Sequence, residues 1–123
     1  MKWRWLFAAA GILAVVYGLR AGAALPEEKA RELLKAGAVL VDVRTVGEFN
    51  DRHLTNAVNI PLDELAEKTP RIVRDKGRVL LLHCRSGRRS GLAEKKLRDM
   101  GYTNAFNIGS YRQAETIVNP ASR

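Results

Sequence analysis

One stretch constrains the fold of this chain more than any other: Val79-Leu80-Leu81-Leu82-His83-Cys84-Arg85-Ser86-Gly87-Arg88-Arg89-Ser90-Gly91. Its apolar half has the length of one buried strand and ends at Cys84. A short arginine-rich loop follows. Leu92, Ala93, Leu97 and Met100 then recur at helical spacing, and Gly101 stands where such a helix stops. The only cysteine of the chain therefore falls where a strand ends and a helix begins. The unpaired N–H groups of a first helical turn and the helix dipole favour an anion at that point.

A lone cysteine after an apolar strand is commonly a small core residue. The neighbours argue for a reactive thiol instead. Arg85, Arg88 and Arg89 suit a thiolate and do not suit an inert core sulfur. Gly87 lets the loop turn its N–H groups inward, and Ser90 is placed to cap the helix that follows. Cys84 is thus the candidate nucleophile. Arg85, Ser86, Gly87, Arg88, Arg89 and Ser90 are the candidate anion-binding residues.

Three blocks of the sequence resemble the rhodanese (sulfurtransferase) domains, in family order and covering nearly everything after residue 37. Cys84-Arg85-Ser86-Gly87-Arg88-Arg89-Ser90 resembles the active-site loop. Val41-Asp42-Val43-Arg44, Glu48-Phe49 and His53-Leu54-Thr55-Asn56-Ala57-Val58-Asn59-Ile60-Pro61-Leu62 resemble the family's Asp-Val-Arg strand end and its His-Ile-x-Gly-Ala-x-Asn-Ile-Pro segment. Gly101-Tyr102-Thr103-Asn104 and Asn107-Ile108-Gly109-Ser110 resemble its last strand and turn. The blocks also resemble those of the small single-domain periplasmic type known from phage-shock operons.

The resemblance implies a three-layer α/β fold with a central parallel sheet of about four or five strands flanked by helices. It implies transfer of sulfane sulfur from thiosulfate, through a Cys84 persulfide, to cyanide or a thiol acceptor, with no cofactor and no metal. His53 is a structural signature of the family and is not assigned to catalysis. Two glycines of the family pattern are replaced, by Arg52 and by Asn56. Asparagine enters left-handed backbone at modest cost, arginine less readily, so the turn at Arg52 is expected to differ.

At 123 residues the chain holds one domain with a modest core. One cysteine excludes an intramolecular disulfide and a multi-cysteine metal site. The net charge is +8, but its cations outside residues 1–23 are dispersed among acids, with few aromatics to stack on bases. That pattern speaks against nucleic-acid binding and for attraction of small anions.

Residues 1–23 read as a secretory signal. Lys2 and Arg4 give a cationic start, Leu6 to Leu19 is uncharged, and Ala21-Gly22-Ala23-Ala24 supplies small residues for cleavage. The apolar core is shorter than the roughly 20 residues of a full span. Trp3, Trp5 and Arg20 also suit a retained N-terminal anchor helix, the alternative reading. Either way the domain, residues 24–123, is delivered to the periplasm or another extracytoplasmic space, free or anchored at the inner membrane, and touches membrane only through this segment. The sequence is silent on oligomeric state.

Along the domain, Pro26-Glu27-Glu28 opens a helix with Ala30, Leu33 and Leu34 inward and Gly37 at its end. Ala38-Val39-Leu40-Val41 reads as a strand buried on both faces, hence parallel. Asp42 and Arg44 mark its carboxyl end, where open α/β sheets bind ligands. They are read as supporting residues: Asp42 holds loop backbone and Arg44 pairs with Glu48. Ala57–Ile60 is a short strand. Leu62–Leu65 is a short helix, with Asp63 or Thr69 as caps, and Arg71–Arg74 a separate helical turn. Asn104–Ile108 is the last strand, and a final helix covers Arg112–Val118.

A cysteine phosphatase or arsenate reductase is the runner-up chemistry. Its His-Cys-x-x-Gly-x-x-Arg pattern needs five residues between cysteine and arginine, whereas four separate Cys84 from Arg89 and the next position is Ser90. A non-enzymatic persulfide carrier is the third reading.

Overall fold

The computed structural model describes residues 25–122. The signal or anchor read in residues 1–23 lies outside the described residues. Among the described residues no helix is long and apolar enough to cross a membrane.

Four parallel strands form one sheet: β1 (Val39–Asp42), β2 (Val58–Asn59), β3 (Leu80–His83) and β4 (Ala105–Gly109), in the order β2-β1-β3-β4. Around it lie α1 (Glu27–Lys35), α2 (Val46–Asp51), α3 (Leu65–Ile72), α4 (Arg88–Asp99) and α5 (Tyr111–Val118). Alternation along the strands builds two cores. Val41, Leu80, Leu82 and Ala105 face Leu65 of α3 and Ala93 and Leu97 of α4. Leu40, Leu81, Phe106 and Ile108 face Ala30 of α1 and Ala114 and Ile117 of α5. The result is a three-layer α/β fold. All of β3 is buried, as its unbroken apolar run requires. Each fully buried leucine there contributes about 1.5–3 kcal/mol.

Helix α4 also closes the outer edge of β4. Glu94 accepts the Asn107 N–H at 2.6 Å, and the Arg98 guanidinium donates to the Ala105 carbonyl at 3.1 Å. Side chains thereby occupy edge groups that another strand would otherwise pair with. Leu92 does not share the inner stripe expected of it and is 55% exposed, because Ala93 and Leu97 set the buried face.

The segment after β2 departs from the sequence reading. A 3₁₀ turn (Leu62–Glu64) leads into one continuous helix, α3, that runs through Thr69 and Pro70. Neither Asp63 nor Thr69 caps it. Leu65, Thr69 and Val73 recur every four residues and are all buried, so packing of that face carries the helix past the proline. The two replaced glycines behave differently. Asn56 takes the left-handed conformation, φ +67°, whereas Arg52 is extended and needs none.

Tyr102 is fully buried and donates its hydroxyl to the Val73 carbonyl at 2.6 Å, tying the turn after α4 to the end of α3. Tyr102→Phe leaves that carbonyl without its partner. Urea unfolding should show a loss of about 1–3 kcal/mol with an unchanged denaturant slope.

Candidate active site

The register of the parallel sheet sets Asp42 beside His83 at the carboxyl ends of the two central strands. Cys84 is the next residue. Its side chain sits in the core under α4, and the residue is 0% exposed. Yet its sulfur meets donors rather than carbon alone. The Gly87 N–H points at Sγ at 3.0 Å, and the Ser90 N–H and hydroxyl each lie 3.4 Å away. The cysteine is thus a core residue by burial, with a sulfur that polar donors face.

Gly87 makes the cup. It precedes α4 with φ +97°, a conformation that L side chains rarely adopt. A Cβ there would meet Gly109 Cα and C at 3.3 Å. The loop thus wraps against the end of β4, where the Cys84 N–H donates to the Gly109 carbonyl at 3.3 Å and the Tyr111 N–H to the Arg85 carbonyl at 3.3 Å.

Ser90 was expected to cap α4. It is the third residue of the helix instead, and the capping position belongs to Gly87. The Ser90 hydroxyl reaches three acceptors: Sγ, the Gly87 carbonyl at 3.1 Å and the Gly109 carbonyl at 3.4 Å. It has one proton to give, and a thiolate is the strongest claimant. Burial works to raise the Cys84 pKa. The Ser90 hydroxyl, then the N–H groups of Ser90, Gly87 and Ser86, outweigh burial and bring the thiol below its ordinary value.

The three arginines face different ways. Arg85 and Arg88 are exposed. The loop backbone turns its N–H groups toward the sulfur, which sends these side chains outward. Arg89 alone is half-buried, and its charge is felt at Cys84. Its guanidinium is already occupied: Nη1 and Nη2 donate to the two Glu48 carboxylate oxygens at 2.6 and 3.0 Å. That contact holds the Glu48 carboxyl at a pKa of about 2.

Arg44 does not pair with Glu48 as expected, because Glu48 is taken by Arg89. Asp42 and Arg44 are buried and pair with each other, with Asp42 Oδ2 accepting from Arg44 Nη2 at 2.7 Å and Oδ1 accepting the Arg44 backbone N–H at 2.9 Å. Arg44 also donates to the Arg52 carbonyl at 2.6 Å, and its guanidinium lies 4.8 Å over the Tyr111 ring. The pair braces the loop after β1. His83 is buried beside it, and burial lowers its pKa, so it stays neutral. His53 hydrogen-bonds the Phe49 carbonyl and stacks on the Phe49 ring, a turn contact within its own segment.

Two residues at the site were not read from the sequence: Glu48 as the Arg89 partner, and Tyr111 as the platform under Arg44. The signal for Glu48 was present. Thr45-x-x-Glu48 is a capping box that fixes the carboxylate at the first turn of α2.

Residues 26–114 match the family described as the rhodanese-like domain. Thiosulfate sulfurtransferase PspE of Escherichia coli is 38% identical over 72 residues, covering 58% of this chain and 69% of that protein. The uncharacterized protein YqhL of Bacillus subtilis is 37% identical over 97 residues, covering 79% of this chain and 75% of that one. Among solved structures, a rhodanese with anions from Escherichia coli superposes with a TM-score of 0.60 at 35% identity, covering 63% of this chain and 91% of its own. The human single-domain sulfurtransferase TSTD1 gives 0.62 at 30% identity, covering 77% and 95%.

The donor arrangement predicts the alkylation profile of Cys84. The rate against pH should have its midpoint below the free-thiol value of about 8.5. Ser90→Ala, which removes a hydroxyl donor, should move the midpoint upward. Arg85→Gln should leave it in place, because that guanidinium is exposed.

Proposed function

We propose, from the premise that this chain belongs to the rhodanese-like domain family, that it is a thiosulfate sulfurtransferase in which Cys84 carries the sulfur. The observation that carries this reading is the cup: one buried sulfur faced by three donors at 3.0–3.4 Å. Such a cradle fits a thiolate and then the terminal sulfur of a persulfide.

In the first half-reaction the Cys84 thiolate attacks the outer sulfur of thiosulfate. The sulfur–sulfur bond of the donor breaks, and sulfite leaves with the electron pair. In the second, cyanide or an acceptor thiolate attacks the terminal sulfur of the Cys84 persulfide. Thiocyanate or a new persulfide departs, and the thiolate is restored. This is covalent nucleophilic catalysis in two steps. Both steps are displacements at sulfur, so neither calls for a cofactor. Arg85 and Arg88, exposed at the loop, are suited to draw the dianionic donor to the mouth, and the Ser86, Gly87 and Ser90 donors to hold the sulfur. Asp42 and Arg44 brace the loop without touching Sγ. Thiosulfate as donor is supported by the similarity to the thiosulfate sulfurtransferase PspE of Escherichia coli.

The phosphatase reading finds less support. The loop is one residue short for a tetrahedral oxyanion, and the arginine next to the required position is held by Glu48. The composition of residues 1–23 supports an extracytoplasmic site of action, with that segment as a cleaved signal or, alternatively, an anchor.

Intact-protein mass spectrometry after incubation with thiosulfate should show one added sulfur atom. Cys84→Ser should keep the fold and lose both the adduct and turnover. Appreciable thiocyanate formation by that variant would end the mechanism. For location, fractionation of expressing cells should place the protein in the envelope or periplasm; full recovery from the cytosol with an intact N-terminus would refute the reading.

A further inference from the structure

Glu48 belongs to α2, not to the cysteine loop, yet it closes on Arg89 with two bonds of 2.6 and 3.0 Å. The carboxylate is set in place beforehand. The Thr45 N–H and hydroxyl each lie 3.1 Å from Glu48 Oε1, and the Glu48 N–H donates back to the Thr45 hydroxyl at 3.2 Å. Arg89 is the loop arginine that is half-buried toward the site, with its side chain 32% exposed and that of Glu48 30%. An anion that approaches Sγ and would use Arg89 meets a carboxylate already there.

We propose that Glu48 is a specificity-setting residue: by occupying Arg89 it limits how strongly the cup prefers highly charged anions over weakly charged or neutral reactants. Glu48 acts through Arg89 and does not touch the reacting atoms. The inference rests on Cys84 being the reactive sulfur in the sulfurtransferase reading, but its test does not require sulfur transfer.

The charge can be removed with little loss of geometry, since glutamine also serves in a capping box. In the full chain carrying Glu48→Gln, Cys84 is alkylated at one pH and low salt with iodoacetate, an anion, and with iodoacetamide, its neutral counterpart. Any change in thiolate fraction cancels in the ratio of the two rates. The ratio should rise by about two- to fivefold, the scale of a partly exposed ion pair. The rise should shrink in about 1 M salt, where the screening length is about 3 Å. It should vanish when Arg89→Gln is already present. Thr45→Ala keeps both charges but loosens the carboxylate, and should give a smaller rise; it remains informative if the glutamine variant fails to fold. With thiosulfate, KM should fall in Glu48→Gln while kcat changes little. An unchanged or lower alkylation ratio in the folded variants overturns the proposal. So does an equal rise in the Arg89→Gln background, which would assign the effect to Glu48 alone. Absence of any sulfur transfer in wild type would instead defeat the sulfurtransferase reading, and the alkylation ratio would still be readable.

Discussion

Donation of hydrogen bonds to the Cys84 sulfur is the interaction the rest of this site depends on. A sulfur that is 0% exposed would ordinarily hold its proton, because burial penalises the anion. Here the penalty is offset by the Ser90 hydroxyl and by N–H groups of the loop and first turn of α4. Those groups converge only because Gly87 takes a left-handed conformation against the end of β4. The sheet thus does more than bury leucines. Its parallel register ends β3 at the level where α4 begins, and the loop between them is short enough to leave its backbone donors facing one point.

The second requirement is a rigid neighbour for that loop. A buried ion pair is weak evidence for net stability, since desolvation of both charges cancels much of their attraction. The Asp42–Arg44 pair is better understood by what it connects. Asp42 ends β1, Arg44 reaches the Arg52 carbonyl beyond α2, and Asn59 at the end of β2 donates to the carbonyls of both Asp42 and Arg44 at 3.0 Å. Tyr111, at the start of α5, lies under Arg44 and holds the Arg85 carbonyl through its N–H. Loss of either charge would strand the other and slacken several connections together.

Much of this was legible in the sequence because it is local. The run from Val79 to His83 and the other strands follow from apolar runs and turn residues, and the parallel sheet from the family resemblance. The position of Cys84 follows from the same pattern. What was not legible depends on which way a side chain faces after packing. Arg85, Arg88 and Arg89 look equivalent in the sequence, but the inward turn of the loop backbone sends two of them to solvent and one onto Glu48, 41 positions away in the chain. Ser90 reads as a cap until the left-handed turn at Gly87 starts the helix earlier. Pro70 reads as a break, and the buried stripe of Leu65, Thr69 and Val73 overrides it. The segment 1–23 has a clear compositional reading and lies outside the described residues.

The depth of Cys84 has a consequence for traffic between molecules. A disulfide needs its two sulfurs about 2 Å apart. Two folded copies cannot bring two recessed sulfurs to that distance unless their loops open. Neither covalent dimerisation nor passage of a sulfur from one copy directly to another has a route through closed cups. Under the proposed mechanism each molecule's load is then private. It stays where the donor left it until a slender nucleophile reaches the floor of the cup, so the charged fraction of a population records donor and acceptor supply rather than exchange among the copies.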